Sequence, residues 1–170
     1  MSDYTGALEA VDRVVNRESE ADEVLRQTVE VLHDRFEHYS WVGIYLVEEG
    51  DLVLGPWKGP QATDHVRIPI GQGVCGAAAA SGKTEIVDDV AADERYLSCF
   101  PSTRSEVVVP IIYEGKVVGV YVVDDLGPAA RRCCATDSLA DRDPDVVGGL
   151  RPLPRPEHEV SLLDEVDADP

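Results

Sequence analysis

The chain has no long hydrophobic run. Its longest apolar stretch, residues 117–123, is far shorter than the ~20 residues that a membrane-spanning helix needs. The first ten residues are polar and acidic, and they resemble neither a secretion signal nor a transit peptide. We therefore expect a cytoplasmic protein with no membrane partner. At 170 residues, the chain is long enough for one domain with a core of its own and too short for two ordinary ones.

Basic residues are also scarce, and lysine is the scarcest of them. There are 15 lysines and arginines against 33 acidic residues, which gives a net charge of −18, and only Lys58, Lys83 and Lys116 are lysines. A nucleic-acid backbone would have to bind against this charge, so we exclude nucleic acid as a partner. A lysine-poor acidic surface is typical of a halophile-like cytoplasm, where salt screens the self-repulsion. A melting temperature that rises with molar KCl is the expected signature.

Metal-binding patterns are missing as well. The four cysteines include no CxxC pair, and His65 and His158 are isolated in the sequence. His33 and His38 are five residues apart, which places them on different faces of a helix. We therefore expect no metal site and, in a cytoplasmic chain, no disulfide framework.

The hydrophobic pattern that is present changes along the chain from a helical to a strand period. It predicts two amphipathic helices within residues 3–36, strands over 40–48, 52–57, 67–70 and 84–87, a short helix over 74–80, and a hairpin of residues 106–113 and 116–124. The near-continuous valine and isoleucine of this hairpin predict central strands that are buried on both faces. Helices followed by a mostly antiparallel sheet indicate an α+β fold.

The composition changes abruptly after Gly127. Residues 128–170 contain six of the 11 prolines and show no sustained period. This composition predicts a disordered tail, so we place one domain in residues 1–127. A reading-frame change near residue 128 would produce a tail of the same kind, and we leave that alternative open.

The stretch GQGVCG, residues 71–76, matches the G-x-G-x-x-G pattern of dinucleotide-binding proteins. That pattern is meaningful between a buried parallel strand and a full crossover helix. Here Pro69 argues against a central strand before it, and Gly82 ends the following helix after about two turns. The glycines more plausibly let the backbone turn beside a pocket, with Cys75 at a helix N-terminus where amide groups would stabilise a thiolate. Cys75 as a small buried hydrophobic residue is the alternative.

Three stretches taken together resemble the GAF-domain free methionine-R-sulfoxide reductases. They are SWVGIYLVEEGDLVLGPWKG, RIPIGQGVCG and CFPSTRSEVVVP, and the resemblance is strongest over residues 40–125. It implies a GAF fold, with a central antiparallel sheet, helices packed on one face and a small-ligand pocket on the other. It also implies reduction of free methionine sulfoxide without a bound cofactor, with a thioredoxin-like protein as the reductant. The oligomeric state stays open, with a homodimer as one alternative.

The resemblance implies roles for six residues. Cys99 falls at the position of the nucleophile and Cys75 at that of a resolving cysteine, while Trp41, Tyr45, Glu106 and Asp124 fall at substrate-binding positions. The chain departs from the pattern in two places. Val122 replaces the first of two acidic positions on the last strand, and residues 63–65 replace a stretch that often contains a further cysteine.

The residues themselves leave structural alternatives open. Trp41 and Tyr45 are four apart in a strand and hence on one face, which suits a core pair as well as a pocket wall. Glu106 could be only a charge at a strand end. Cys99 lies in a polar loop without apolar periodicity, so packing in the core explains it less well. A non-catalytic GAF module that binds a small molecule or senses redox state is the alternative function, and Val122 favours it.

Overall fold

The computed structural model describes residues 4–18 and 20–125. Three helices and six strands follow one another along this part of the chain. They are α1 (Tyr4–Arg17), α2 (Ala21–Arg35), β1 (Trp41–Glu48), β2 (Asp51–Lys58), β3 (Arg67–Pro69), α3 (Gly73–Ser81), β4 (Glu85–Val87), β5 (Glu106–Tyr113) and β6 (Lys116–Asp124). A 3-10 turn, Val90–Ala92, interrupts the long loop between β4 and β5. The predicted order and type of the elements are confirmed, with bounds shifted by one or two residues. The expectation of a disordered tail in residues 128–170 lies outside the described residues.

Two tight turns fix the register of the longest strands. Glu49 and Gly50 have φ angles of 53° and 91°, and Glu114 and Gly115 have φ angles of 49° and 75°. Two consecutive residues with positive φ form the type I′ turn, whose twist matches that of the flanking strands. Each turn therefore joins neighbouring antiparallel strands directly, β1 to β2 and β5 to β6.

The six strands form one antiparallel sheet in the order β3-β2-β1-β6-β5-β4. Helix α2 packs on β1 and β2, and α1 packs on α2. This face of the sheet is centred on four buried residues, Val29, Val42, Ile44 and Val123. The opposite face carries the larger core, to which α3 and the β4–β5 loop contribute. One antiparallel sheet with helices packed on its faces confirms the α+β architecture.

The expectation that β5 and β6 are buried on both faces is wrong near their shared turn. Val109, Ile112, Tyr113 and Val118 are exposed, whereas residues 106–108 of β5 and 119–124 of β6 are mostly buried. Helix α2 makes its main contacts with the sheet on β1 and β2. The hydrophobic composition of β5 and β6 predicted burial along their whole length. How far the helices extend across the sheet decides which part of each strand is buried.

The glycines of residues 71–76 bring the start of α3 against the end of β3. A Cβ on Gly76 would lie 2.6 Å from the carbonyl oxygen of Pro69 and 2.9 Å from the amide nitrogen of Gly71. The Gly71 amide also donates a hydrogen bond to the Gly76 carbonyl at 2.9 Å. Because β3 is a three-residue antiparallel strand at the edge of the sheet, the context of a dinucleotide-binding turn is missing. The glycines serve a close backbone approach that positions Cys75.

We predict that Gly76→Ala lowers the free energy of unfolding by about 1–3 kcal/mol, because the added methyl group meets backbone atoms that cannot rotate away. Urea unfolding followed by circular dichroism measures this change. Ala80→Ser, at an exposed position of the same helix, is the control and should change stability by less than about 0.5 kcal/mol. Equal stability of the two variants would contradict the close approach.

Candidate functional site

The two cysteines in the described part of the chain lie on the same face of the sheet. Cys75 belongs to the first turn of α3 and is buried, and Cys99 lies in the β4–β5 loop and is half-buried. Both belong to the larger core, where Cys99 packs against the buried cluster that contains Cys75. Their thiols are close enough for the charge of Cys99 to raise the pKa of Cys75. The fold thus brings together two cysteines that are 24 positions apart.

Two buried carboxyl groups lie beside the cysteines. Glu106 on β5 and Asp124 on β6 are register partners across adjacent strands, and each is no more than 5% exposed. The Cys75 Sγ donates to Glu106 Oε1 at 3.4 Å, and the Thr103 hydroxyl donates to Asp124 Oδ2 at 3.3 Å. A charge at a strand end would be solvated, so Glu106 is not explained as a surface charge.

Burial changes the protonation of both carboxyl groups. It raises the pKa of Glu106 to about 7. Burial, together with the charge of Glu106, raises the pKa of Asp124 to about 8. Desolvation disfavours a charged carboxylate, and a second carboxylate nearby disfavours it further. Asp124 is therefore mostly a neutral acid at pH 7, which can donate a proton to a bound group.

The thiols are also hard to ionise in this environment. Burial raises the pKa of Cys99 to about 11, an effect that the Thr63 hydroxyl partly offsets and that Asp124, Glu106 and Asp64 add to. Burial and Glu106 raise the pKa of Cys75 well above its usual range. The expectation that the N-terminus of α3 stabilises a Cys75 thiolate is wrong for this structure, because desolvation and a neighbouring carboxyl outweigh the amide groups.

Trp41 and Tyr45 line the same side of β1 as the cysteines. The Trp41 ring stacks on Trp57 with ring centroids 6.2 Å apart and also contacts Phe100. Its Nε1 is buried and has no hydrogen-bond partner among the described residues. The Tyr45 hydroxyl donates to the His65 carbonyl oxygen at 2.9 Å. Both side chains belong to the buried cluster that contains Cys75, as the core-pair alternative expects, and their substrate-binding role stays a prediction.

Sequence reasoning missed His65, which we had treated as isolated. Its Nδ1 lies 3.4 Å from Cys99 Sγ, although 34 positions separate the two residues. Thr63 is buried beside it and affects the pKa of both Cys99 and Tyr45. The one signal in the sequence was that residues 63–65 depart from the family pattern. That departure indicated the loss of a cysteine and not its replacement by another functional side chain.

The other surface features found in residues 4–18 and 20–125 do not include the cysteines or a metal-binding group. Shallow depressions on the surface are lined by residues of the β4–β5 loop, among them Asp88 and Asp89, and include neither cysteine. Within residues 4–18 and 20–125, no group of three or more His, Cys, Asp or Glu side chains is arranged to hold a metal ion. In the same residues, no helix combines the length and hydrophobicity that a bilayer crossing requires.

Comparisons with known proteins place this chain in a family. A profile described as GAF domain matches residues 18–139. Protein YtsP of Bacillus subtilis is 37% identical over 124 residues, 72% of this chain and 75% of YtsP. Free methionine-R-sulfoxide reductase of Escherichia coli is 37% identical over 100 residues, which are 59% of each chain. The X-ray structure of free methionine-R-sulfoxide reductase from Neisseria meningitidis in complex with its substrate has a TM-score of 0.66 and 38% identity, covering 74% of this chain and 77% of that one. The chain therefore belongs to the GAF-domain family, and its relatives include free methionine-R-sulfoxide reductases.

Proposed function

We propose that the protein reduces free methionine-R-sulfoxide to methionine, with Cys99 as the nucleophile and Cys75 as the resolving thiol. The observation that carries the proposal is the single cluster of two cysteines and two protonatable carboxyl groups on one face of the sheet. The names of relatives at 37–42% identity support the substrate class. The domain that performs the reaction is proposed to be residues 1–127, acting in the cytoplasm.

The first step transfers the sulfoxide oxygen to the enzyme. The Cys99 thiolate attacks the sulfoxide while a carboxyl group, Asp124 or Glu106, gives a proton to the departing oxygen. The sulfur–oxygen bond of the substrate breaks and a new one forms on Cys99. Methionine and a Cys99 sulfenic acid are the products, so the substrate sulfur is reduced by two electrons and the cysteine sulfur is oxidised by two.

The second step restores the thiols. The Cys75 thiol condenses with the sulfenic acid, which releases water and leaves a Cys75–Cys99 disulfide. A thioredoxin-type dithiol then reduces this disulfide by exchange. No bound cofactor is needed, because the electrons enter through the thiols.

Thioredoxin-coupled oxidation of NADPH with free methionine sulfoxide tests the proposal. The R epimer should be turned over, and the S epimer and a peptide-bound sulfoxide should not. Parallel chromatography of released methionine excludes oxidation of NADPH by another route. Absence of methionine from the R epimer would refute the proposed function.

A small-molecule-binding or redox-sensing GAF module without turnover is the second candidate. Val122 favours it, since this buried residue of β6 lies two positions from Asp124 on the site face and leaves that place apolar. Binding of methionine sulfoxide or formation of a Cys75–Cys99 disulfide without release of methionine would support this candidate.

We predict that Val122→Asp lowers the KM for free methionine sulfoxide by about tenfold. A carboxylate there would pair with the substrate ammonium group, and hydrogen bonds to charged groups contribute about 1.5–3 kcal/mol. Steady-state kinetics measure the change, with Val122→Asn as a neutral control of similar size. An unchanged or raised KM in the aspartate variant would mean that the ammonium group binds elsewhere.

A further inference from the structure

His65 places a basic ring nitrogen beside the proposed nucleophile. Its Nδ1 lies 3.4 Å from the Sγ of Cys99, and the residue is half-buried. The backbone of His65 is held at both ends: its amide donates to the Thr63 hydroxyl at 3.1 Å, and its carbonyl accepts from the Tyr45 hydroxyl at 2.9 Å. Thr63 and Tyr45 are themselves buried. The imidazole is therefore positioned beside the thiol by the fold.

The Thr63 hydroxyl lowers the pKa of Cys99, but burial and the charged groups around the thiol oppose its ionisation. Asp64 faces it from the same loop as His65, Glu106 from β5 and Asp124 from β6, and each carboxylate raises the pKa of the thiol. The Cys75 thiol on α3 and the Tyr45 phenol on β1 are also nearby, and neither carries positive charge. A thiol with a pKa near 11 holds too little thiolate at pH 7 for attack, so a proton acceptor is required.

We propose that His65 accepts the proton of the Cys99 thiol and holds the nucleophile as a thiolate–imidazolium pair. The proton moves from Sγ to Nδ1, no electron is transferred, and the charges of the pair cancel. The positive ring then faces the thiolate at 3.4 Å. An opposite charge at such a distance favours the charged form of its partner by about 1–3 pKa units. The proposal rests on the proposed function in taking Cys99 as the nucleophile, but its test requires no turnover.

The pH dependence of Cys99 alkylation by iodoacetamide tests the pair, with modification of each cysteine quantified by peptide mass spectrometry. In the wild-type protein, the midpoint of the profile should lie about 1–3 units below the value near 11 that burial and the carboxylates alone give. In His65→Asn, the midpoint should rise by about 1–3 units. Since a less acidic thiolate is also more nucleophilic, the rate at pH 7 should fall only about 3- to 40-fold. His38→Asn, at an exposed position beside Tyr39, is the matched control and should keep the wild-type profile.

Two outcomes would overturn the proposal. One is an unchanged midpoint in a folded His65→Asn or His65→Gln protein. The other is a wild-type midpoint at or above about 11, a measurement that needs no variant. If alkylation follows the proposal while no methionine is released from the R epimer, the pair stands and the reductase function falls. If methionine is released and the midpoints are unchanged, the reductase function stands and His65 is not the proton acceptor.

Discussion

Cys99→Ser is expected to release no methionine from free methionine-R-sulfoxide, even in a single turnover. A serine hydroxyl is not ionised by the surrounding groups and cannot take the oxygen as a sulfenic acid, so the first bond-forming step is lost. The expected decrease in kcat is about 10⁴-fold or more, the scale found when a nucleophile is removed. Rapid-quench measurement of methionine tests this directly. Turnover at the wild-type rate would refute the enzymatic proposal.

Cys75→Ser separates the nucleophile from the resolving thiol. Its hydroxyl can still donate to Glu106, as the thiol does at 3.4 Å, so the site should keep its geometry. We expect one equivalent of methionine in a burst and slow turnover afterwards, because no internal disulfide forms. Mass spectrometry of the oxidised wild-type protein should show a Cys75–Cys99 linkage that thioredoxin removes. A linkage from Cys99 to Cys133 or Cys134 would contradict the assignment of Cys75.

Much of the fold could be predicted from local patterns. The near-continuous valine and isoleucine of residues 106–113 and 116–124 predicted β5 and β6, and the glycines of Glu49-Gly50 and Glu114-Gly115 suit the positive φ angles of the two turns. The glycines at 71 and 76 were interpreted as aids to a tight turn, and the close contact of Gly76 with Pro69 agrees with that. These features depend on neighbours in sequence, which is why they are accessible without a structure.

What could not be predicted depends on contacts between distant segments. The pKa values of Glu106 and Asp124 follow from burial under α3 and the β4–β5 loop, and no spacing in the sequence encodes that burial. The approach of His65 to Cys99 likewise requires that β3 pairs with β2 and that the loop folds back over the sheet. The helix N-terminus suggested an acidic Cys75, and only the structure shows that desolvation dominates.

Of the two carboxyl groups, we propose Asp124 as the proton donor at neutral pH. Burial and the adjacent Glu106 give it a pKa of about 8, whereas Glu106 has a pKa of about 7 and is partly ionised there. The hydrogen bond from Thr103 occupies one Asp124 oxygen, and a proton on the other can face the substrate. A donor with a pKa slightly above the working pH is both protonated and able to release its proton.

Asp124→Asn should therefore lower kcat by about 10²–10⁴-fold, the range typical of a lost general acid. The wild-type rate should fall as pH rises through about 8, and the variant should lack this alkaline decrease.

The pH dependence of stability offers an independent measurement of the Asp124 proton. Because the folded-state pKa lies above the ordinary value of 3.8, protonation stabilises the fold fully below pH 3.8, and this contribution disappears as pH rises through about 8. The difference in unfolding free energy between Asp124→Asn and wild type should therefore increase from pH 4 to pH 9. The carboxyl group replaced in Glu106→Gln has a pKa of about 7. The difference in unfolding free energy between this variant and wild type should therefore increase over a lower pH range. An alkaline decrease in rate that survives in Asp124→Asn and shifts only in Glu106→Gln would assign the proton to Glu106 instead.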